Sequence, residues 1–476
     1  MSFEWKQVRL GDFIDSCLGK MLDQKKNRGT FHPYLGNSNV RWGEFDLSNL
    51  SEMKFEDTEH ERYSLKKGDL VVCEGGEPGR CAIWDDEIPG MKIQKALHRI
   101  RTLPGLTSGY LYYWFLFSGK KGTLEPYFTG TTIKHLTGRS LADLTIRLPP
   151  VKYQEKCALI LSSIDCKINH NKKVNQTLEQ IAQALFKSWF VDFEPVKAKM
   201  AVLEVGGSQG DATLAAMTAI SGKDADALVV FEREYPQQYA ELKATAELFP
   251  SEMQESELGE IPSGWYIDSI KNICEVVDYV ANGSFAALKE NVNIYDVPND
   301  VLYIRTTDFN NEFSKGLKYT DAKSYDFLKK SSLVGNEVII SNVGDVGTVF
   351  RPPSWLGLPM TLASNAVAIK SDMFNEFLHL YFKSYLGQHA ISSIVTGSAQ
   401  LKFNKTSFRA LKITLPPENL LLSFNNKVID IVNLSNSLNA EKYALTQLRD
   451  TLLPKLLSCE ITLLEAEQTV SEVENV

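Results

Sequence analysis

Much of what the 476-residue chain lacks is informative. No apolar run approaches the roughly 18 residues that a membrane-spanning helix requires, so no membrane span is predicted. The opening stretch MSFEWKQVRL has no basic segment followed by an apolar one, and the expected location is the cytoplasm. Seven cysteines are scattered without a C-x-x-C pair, which points away from structural zinc or a redox couple and toward reduced, mostly buried thiols. The seven histidines show no ligand spacing. Catalytic signatures are also missing: there is no N-P-P-[YF] or D-P-P-Y run for amino methylation and no H-E-x-x-H for a zinc hydrolase. The segment SGKDAD at 221–226 imitates a phosphate loop, but Met217 stands where its first glycine belongs and Asp224 replaces the Ser or Thr. An E-x-K at Glu241, Leu242 and Lys243 lies in an Ala- and Glu-rich helical pattern and reads as a solvated helix face. A stand-alone nuclease or methyltransferase is therefore not expected.

An excess of basic charge is absent as well. The chain has 51 Lys and Arg against 59 Asp and Glu, a net charge of −8, which by itself counts against nucleic-acid binding. Its distribution changes that reading. Residues 1–150 (+2), 151–200 (+3) and 261–417 (+1) are mildly basic, whereas 201–260 carries −9 and 418–476 carries −5. An acidic connector attached to near-neutral domains is compatible with a DNA-binding role.

What is present is a duplication. A length about three times the roughly 150 residues of a typical domain calls for several domains. With a shift of 267 residues, TGTTIKHLTGRSLADLTIRLPP at 129–150 aligns without a gap to TGSAQLKFNKTSFRALKITLPP at 396–417. The same shift sets Leu178, Ile181 and Leu185 against Leu445, Leu448 and Leu452, and 68–83 resembles 335–350 with one inserted residue. This unit is far longer than a solenoid repeat, so whole domains are duplicated. Short β-branched runs broken by Gly and Asn, mixed with helical patterns at 109–117 and 374–386, predict an α+β fold for each copy.

Pro149-Pro150 and Pro416-Pro417 each close a strand and suit the first turn of a helix. In the helix that follows the first pair, Cys157, Leu161, Ile164, Ile168, Asn171, Asn175, Leu178, Ala182, Leu185 and Trp189 recur at spacings of 3 and 4. After the second pair, Phe424, Val428, Ile431, Leu434, Leu438, Leu445, Leu448 and Leu452 form a matching stripe, interrupted at Glu441 and Lys442. Neither stripe is stable in water alone, and an antiparallel coiled coil with a pseudo-twofold relation is the economical solution. The expected divisions are a globular domain at 1–150, a helix at 151–195, an acidic connector with short helices at 196–258, a second globular domain at 259–417, a second helix at 418–463 and an acidic tail at 464–476.

This layout, together with KSWFVDFEPVKAK at 187–199, ELGEIPSGW at 257–265 and LRDTLLPKLLSCEI at 448–461, resembles the specificity subunit of Type I restriction-modification systems over nearly all of the chain. The resemblance implies two target-recognition domains that each read one half of a split double-stranded DNA sequence. It implies two helices that act as a ruler and dock two methyltransferase (modification) subunits, and restriction subunits with translocase and nuclease activity. It also implies that this chain binds no cofactor and has no catalytic site: S-adenosylmethionine belongs to the modification subunit, and ATP and magnesium to the restriction subunit. Residues 200–256 depart from the shortest family pattern and read as a tether plus short helices against a partner. A protein-only coiled-coil adaptor is the alternative from another class.

Base reading needs donors and acceptors on loops that reach groove edges. Two loop families qualify. The first is 36–42 with its counterpart 304–311, offering Asn37, Asn39 and Arg41, and Arg305, Thr306, Asp308 and Asn310. The second is the glycine loop near 129–135 and 396–402, offering Thr131, Thr132 and Lys134, and Ser398, Gln400 and Lys402. Turn formation or phosphate contact without base specificity is the competing role for each. Gly68, Gly76, Gly79, Gly335, Gly344 and Gly347 read as backbone turns. Phe186, Trp189, Phe190 and Phe193 exceed what one helix stripe needs, so this surplus either docks a modification subunit or packs on its own chain.

Overall fold

The computed structural model describes residues 5–23 and 27–474. The chain forms two compact units, 1–169 with 444–476, and 170–443.

In the first unit the strands Ile14–Leu18, Leu97–Thr102, Leu70–Cys73 and Cys81–Ile83 form an antiparallel sheet in that spatial order. A three-stranded sheet of Ser51–Phe55, Thr30–Leu35 and Lys92–Ile93 accompanies it, and Lys6–Arg9 pairs with Thr145–Leu148. All four residues of Leu70–Cys73 are buried because the sheet is covered on both faces. Side chains alternate across a strand, so Leu70 and Val72 enter one core with the helix Ser108–Lys121, while Val71 and Cys73 enter another with Leu35, Trp84 and Ile93.

The second unit repeats this plan. Glu275–Asp278, Ala366–Lys370, Val338–Ser341 and Val349–Phe350 form the four-stranded sheet. Tyr319–Thr320, Val301–Ile304, Met360–Leu362 and Ser332–Leu333 form the second sheet, and Tyr266–Ser269 pairs with Lys412–Leu415. A parallel strand pairing recurs at the same place in each unit: Thr30–Leu35 with Lys92–Ile93, and Val301–Ile304 with Met360–Leu362. Val338 and Ile340 point into one core, Ile339 into the other.

Two long helices, Val151–Phe190 and Glu418–Ser458, follow the two proline pairs, and the division between units falls inside each. Within the first unit, Cys157, Leu161 and Ile164 share a core with Leu445, Leu452 and Leu456. Arg449 pairs with Asp165 at 2.7 Å, and the Tyr153 hydroxyl donates to Leu456 O at 3.0 Å, so numbers rise on one helix as they fall on the other. Within the second unit the pairing is antiparallel too: Asn171 donates to Glu441 at 2.8 Å and Asn175 to Asn439 at 3.2 Å. The polar breaks in the two stripes therefore meet one another. Leu434, expected in the stripe, is instead 48% exposed.

The acidic connector, expected as a tether with short helices, holds four of them, Glu194–Glu204, Gln209–Ser221, Ala225–Glu234 and Pro236–Glu247. Ala216, Met217, Leu228, Leu242 and Ala246 form a core among the second, third and fourth of these helices, while Val196 of the first joins the main core of the unit. Asp224, at the imitation phosphate loop, caps the third of them by accepting from Ala227 N at 2.8 Å. The expected acidic tail is a helix, Leu463–Glu474, whose Ala466 and Val470 join the core of the first unit. Charge alone concealed the apolar spacing of those two residues. Among the described residues no helix is long and apolar enough to cross a membrane.

Candidate nucleic-acid interface

In each unit the two loop families named from the sequence lie together, and a third loop joins them. That third loop is the glycine hairpin between the last two strands of the four-stranded sheet.

In the first unit the loop at 36–42 begins where Thr30–Leu35 ends. Arg80, from the hairpin, donates to Asn37 O at 3.0 Å, and Trp42 Nε1 donates to Glu77 Oε1 at 2.8 Å. Leu136 N donates to Glu74 O at 2.7 Å, which attaches the loop at 129–135 to the other side of the same hairpin. Gly75 lies against His135 so closely that a Cβ there would be 3.1 Å from its Nδ1.

The second unit builds the same cluster from different residues. Asn310 Nδ2 donates to Asp345 Oδ2 at 3.2 Å, linking the first loop family to the hairpin. Gly344 N donates to Leu401 O at 3.1 Å and Phe403 N to Asn342 O at 3.1 Å, linking the hairpin to the loop at 396–402.

The second loop family has nearly the same geometry in both copies. Thr129 and His135 exchange backbone hydrogen bonds at 2.8 and 2.9 Å, as do Thr396 and Lys402. Gly130 and Gly397 turn the chain with φ of 91° and 97°, and a Cβ at either would sit 2.3 or 2.4 Å from the carbonyl oxygen of Ile133 or Gln400. Only glycine fits. Thr131, Thr132 and Lys134, and Ser398, Gln400 and Lys402, are all exposed at these tips.

The first loop family divides. Arg41 and Asn310 are exposed, and Asn37, Arg305 and Thr306 are half-buried. Asn39 and Asp308 are buried, Asp308 to 1% exposure, and their side chains hold the turn. Asn39 Oδ1 accepts from Gly36 N at 2.9 Å and its amide donates to Asp46 O at 2.9 Å. Asp308 Oδ2 accepts from Arg305 N at 2.9 Å, and its carboxylate pairs with the Arg305 guanidinium, which also donates to Gly316 O at 2.6 Å. The sequence grouped these two with groove-facing donors and acceptors; burial places them inside the turn, because a short polar side chain there supplies the acceptor that a free backbone N–H requires.

Phe186, Trp189 and Phe190 are 1%, 0% and 5% exposed, packed in the core of their own unit, so of the two roles expected for this aromatic surplus the structure shows packing on the chain itself. Phe190 meets Phe424 edge-on at 4.7 Å, Phe186 meets Phe377 at 5.2 Å and Trp189 meets Phe249 at 5.1 Å. Phe193 is half-buried against Trp265 at 5.4 Å. Phe249 of the connector, Trp265 and Phe377 of the second globular domain and Phe424 of the second long helix absorb the surplus that one helix stripe did not need.

What the sequence reading passed over are Glu77 and Asp345, which stand at the hairpin apices and contact the first loop family. The signal was present as Gly76-Glu77-Pro78-Gly79 and Gly344-Asp345-Val346-Gly347, offset by 268 residues rather than 267. Neighbouring Cys73 is no nucleophile, since burial pushes its thiol up to about 11. The clusters offer amide, hydroxyl, guanidinium and carboxylate groups on turns held by backbone bonds, an arrangement suited to reading hydrogen-bonding patterns rather than to bond breaking.

Comparison with known proteins identifies a family. The family described as Type I restriction modification DNA specificity domain matches residues 3–180 and 262–430. The HindI specificity subunit of Haemophilus influenzae is 29% identical over 476 residues, covering 96% of this chain and 100% of the relative. The MjaIX specificity subunit of Methanocaldococcus jannaschii is 25% identical, covering 83% and 78%. The crystal structure of a Type I restriction-modification S subunit from M. genitalium superimposes with a TM-score of 0.48 at 14% identity, covering 95% of this chain and 96% of that one. With two matched segments that together span most of its length, the chain belongs to the family of Type I restriction-modification specificity subunits, the non-catalytic DNA-recognition members of those systems.

Proposed function

We propose that the chain reads a bipartite double-stranded DNA sequence, one half through the loop cluster of each unit, and thereby directs adenine methylation and restriction by partner subunits. The observation that carries this reading is the duplication of the three-loop cluster: the same turns are held by the same backbone bonds, while the side chains they present differ. Thr131, Thr132 and Lys134 stand where Ser398, Ala399 and Leu401 stand in the other copy, and Gln400 and Lys402 take the places of Ile133 and His135. A conserved scaffold with different donors and acceptors is what recognition of two unlike half-sites requires.

In this proposal Asn37, Arg41, Arg305, Thr306, Asn310 and the six tip residues face DNA, and Asn39 and Asp308 shape the turns behind them. Two modification subunits and the restriction subunits are the partners. They bring S-adenosylmethionine, ATP and magnesium, and the assembly works in the cytoplasm on host and incoming DNA.

The test is to express the chain with its modification subunit and map methylated adenines across the host genome by single-molecule sequencing. A bipartite motif with a fixed gap is expected, and exchanging residues 1–150 for those of a relative should change one half only. Co-purification of the subunits with no motif would leave an assembly scaffold and refute the DNA-reading role.

A further inference from the structure

We propose that Glu77 and Asp345 determine specificity, each accepting a hydrogen bond from an exocyclic amino group, cytosine N4 or adenine N6, in the major groove of its half-site. This rests on the bipartite reading above.

Four observations lead here. The two acids occupy the same apex in the two copies, each flanked by glycines at positive φ: 74° and 95° at Gly76 and Gly79, 81° and 92° at Gly344 and Gly347. Both are open to solvent, Glu77 with 52% of its side chain exposed. Each is oriented by a donor from the first loop family, Trp42 Nε1 in one unit and Asn310 Nδ2 in the other. Arg80 adds a contact to Glu77 Oε2 at 3.1 Å. A carboxylate has about four acceptor sites, so capacity remains in both.

The charge itself needs an explanation. At Glu77 the Arg80 guanidinium already pairs with the charge, but the amide N–H of Asn310 that orients Asp345 would be satisfied as well by a neutral Asn, so holding the loops together there does not call for an anion. Phosphates repel a carboxylate, which disfavours one anywhere along the DNA backbone. At the floor of the major groove the balance reverses, because the amino groups of cytosine and adenine are donors and an acceptor-only group rejects the O6, N7 and O4 acceptors of guanine and thymine. Two copies that share few other side chains in this hairpin have both kept an acid at its apex.

The experiment uses the chain in complex with its modification subunit and a set of duplexes in which each base pair of the wild-type motif is varied in turn. Glu77→Gln is expected to lose discrimination about tenfold at one position of one half-site, leaving the other half unchanged, and Asp345→Asn to do the mirror image. Trp42→Phe removes the orienting donor while keeping the acid, and should preserve the base identity. Wild-type discrimination at every position in both acid variants overturns the proposal. So does a Trp42→Phe variant that relaxes that position as fully as Glu77→Gln does, since Glu77 would then act only on the loop. Should Glu77→Gln fail to fold, Asp345→Asn decides. A wild-type complex without a bipartite motif sinks the underlying reading, whereas a wild-type motif with unaltered variants sinks the carboxylate role alone.

Discussion

A side chain's burial, more than its type, decides its work in this protein. Burial pushes the thiols of Cys73 and Cys157 up to about 11 and about 12, and Cys81 well above its ordinary value, while Cys166 is exposed on the first long helix. An alkylating or disulfide reagent at pH 7.5 should therefore modify Cys166 early, and Cys73, Cys81 and Cys157 only as the protein unfolds; rapid native labelling of Cys73 would contradict this. His379 is buried beside Arg351 and Lys383, and burial holds its pKa well below the usual value. Burial lowers His98 in the same direction. Below about pH 6.5 the unfolded chain takes up protons that these folded imidazoles refuse, so stability is full above that pH and declines beneath it. The unfolding midpoint should fall between pH 7.5 and 5.5, each histidine contributing at most ~1.4 kcal/mol per pH unit, and His379→Gln should flatten the slope. An unchanged slope in that variant would assign the acid sensitivity elsewhere. Asn39 and Asp308 make the same point for recognition: residue type suggested base contacts, and only burial showed them bonded to their own turns.

At the scale of single elements, the glycine loops and the helix stripes were legible because they rest on local rules. Gly130 and Gly397 occupy left-handed backbone with a carbonyl where a Cβ would go. Gly130→Ala should distort that tip, weakening methylation through the first half-site at least tenfold while lowering the unfolding midpoint little, because the loop is exposed. Comparison of half-site methylation with thermal melting separates the two effects. The Asn171 side chain, 1% exposed, lies in the helix contact and donates to Glu441. Asn171→Ala removes that donor and opens a small cavity, at an expected cost of ~1–3 kcal/mol measured by denaturant unfolding. Sequence spacing identified the interruptions at 171, 175 and 441 but treated them as separate features. Their meeting depends on antiparallel packing, which brings residues 270 apart in the chain into contact.

For the whole molecule, duplication is the organising fact, and it leads to a last prediction. If the long helices set the gap between half-sites, inserting four residues into one of them should lengthen the spacer by ~6 Å, or one to two base pairs. Methylation mapping of that variant with an unchanged motif would refute the role. The amino-acid sequence by itself determined the family, the two-copy plan, the α+β character, the two long helices and the glycine loops, because periodicity, proline pairs and repeated strings are local or translational patterns. Tertiary structure alone decided which polar residues are buried, that Phe186, Trp189 and Phe190 face their own core, that the short helices of 196–258 share a core, and that three loops meet at one cluster in each unit. The reason is physical: a short polar side chain has the same local propensity whether it holds a turn or reaches for a base. Only chain segments far apart in sequence, brought within a few ångströms, determine which of the two it does.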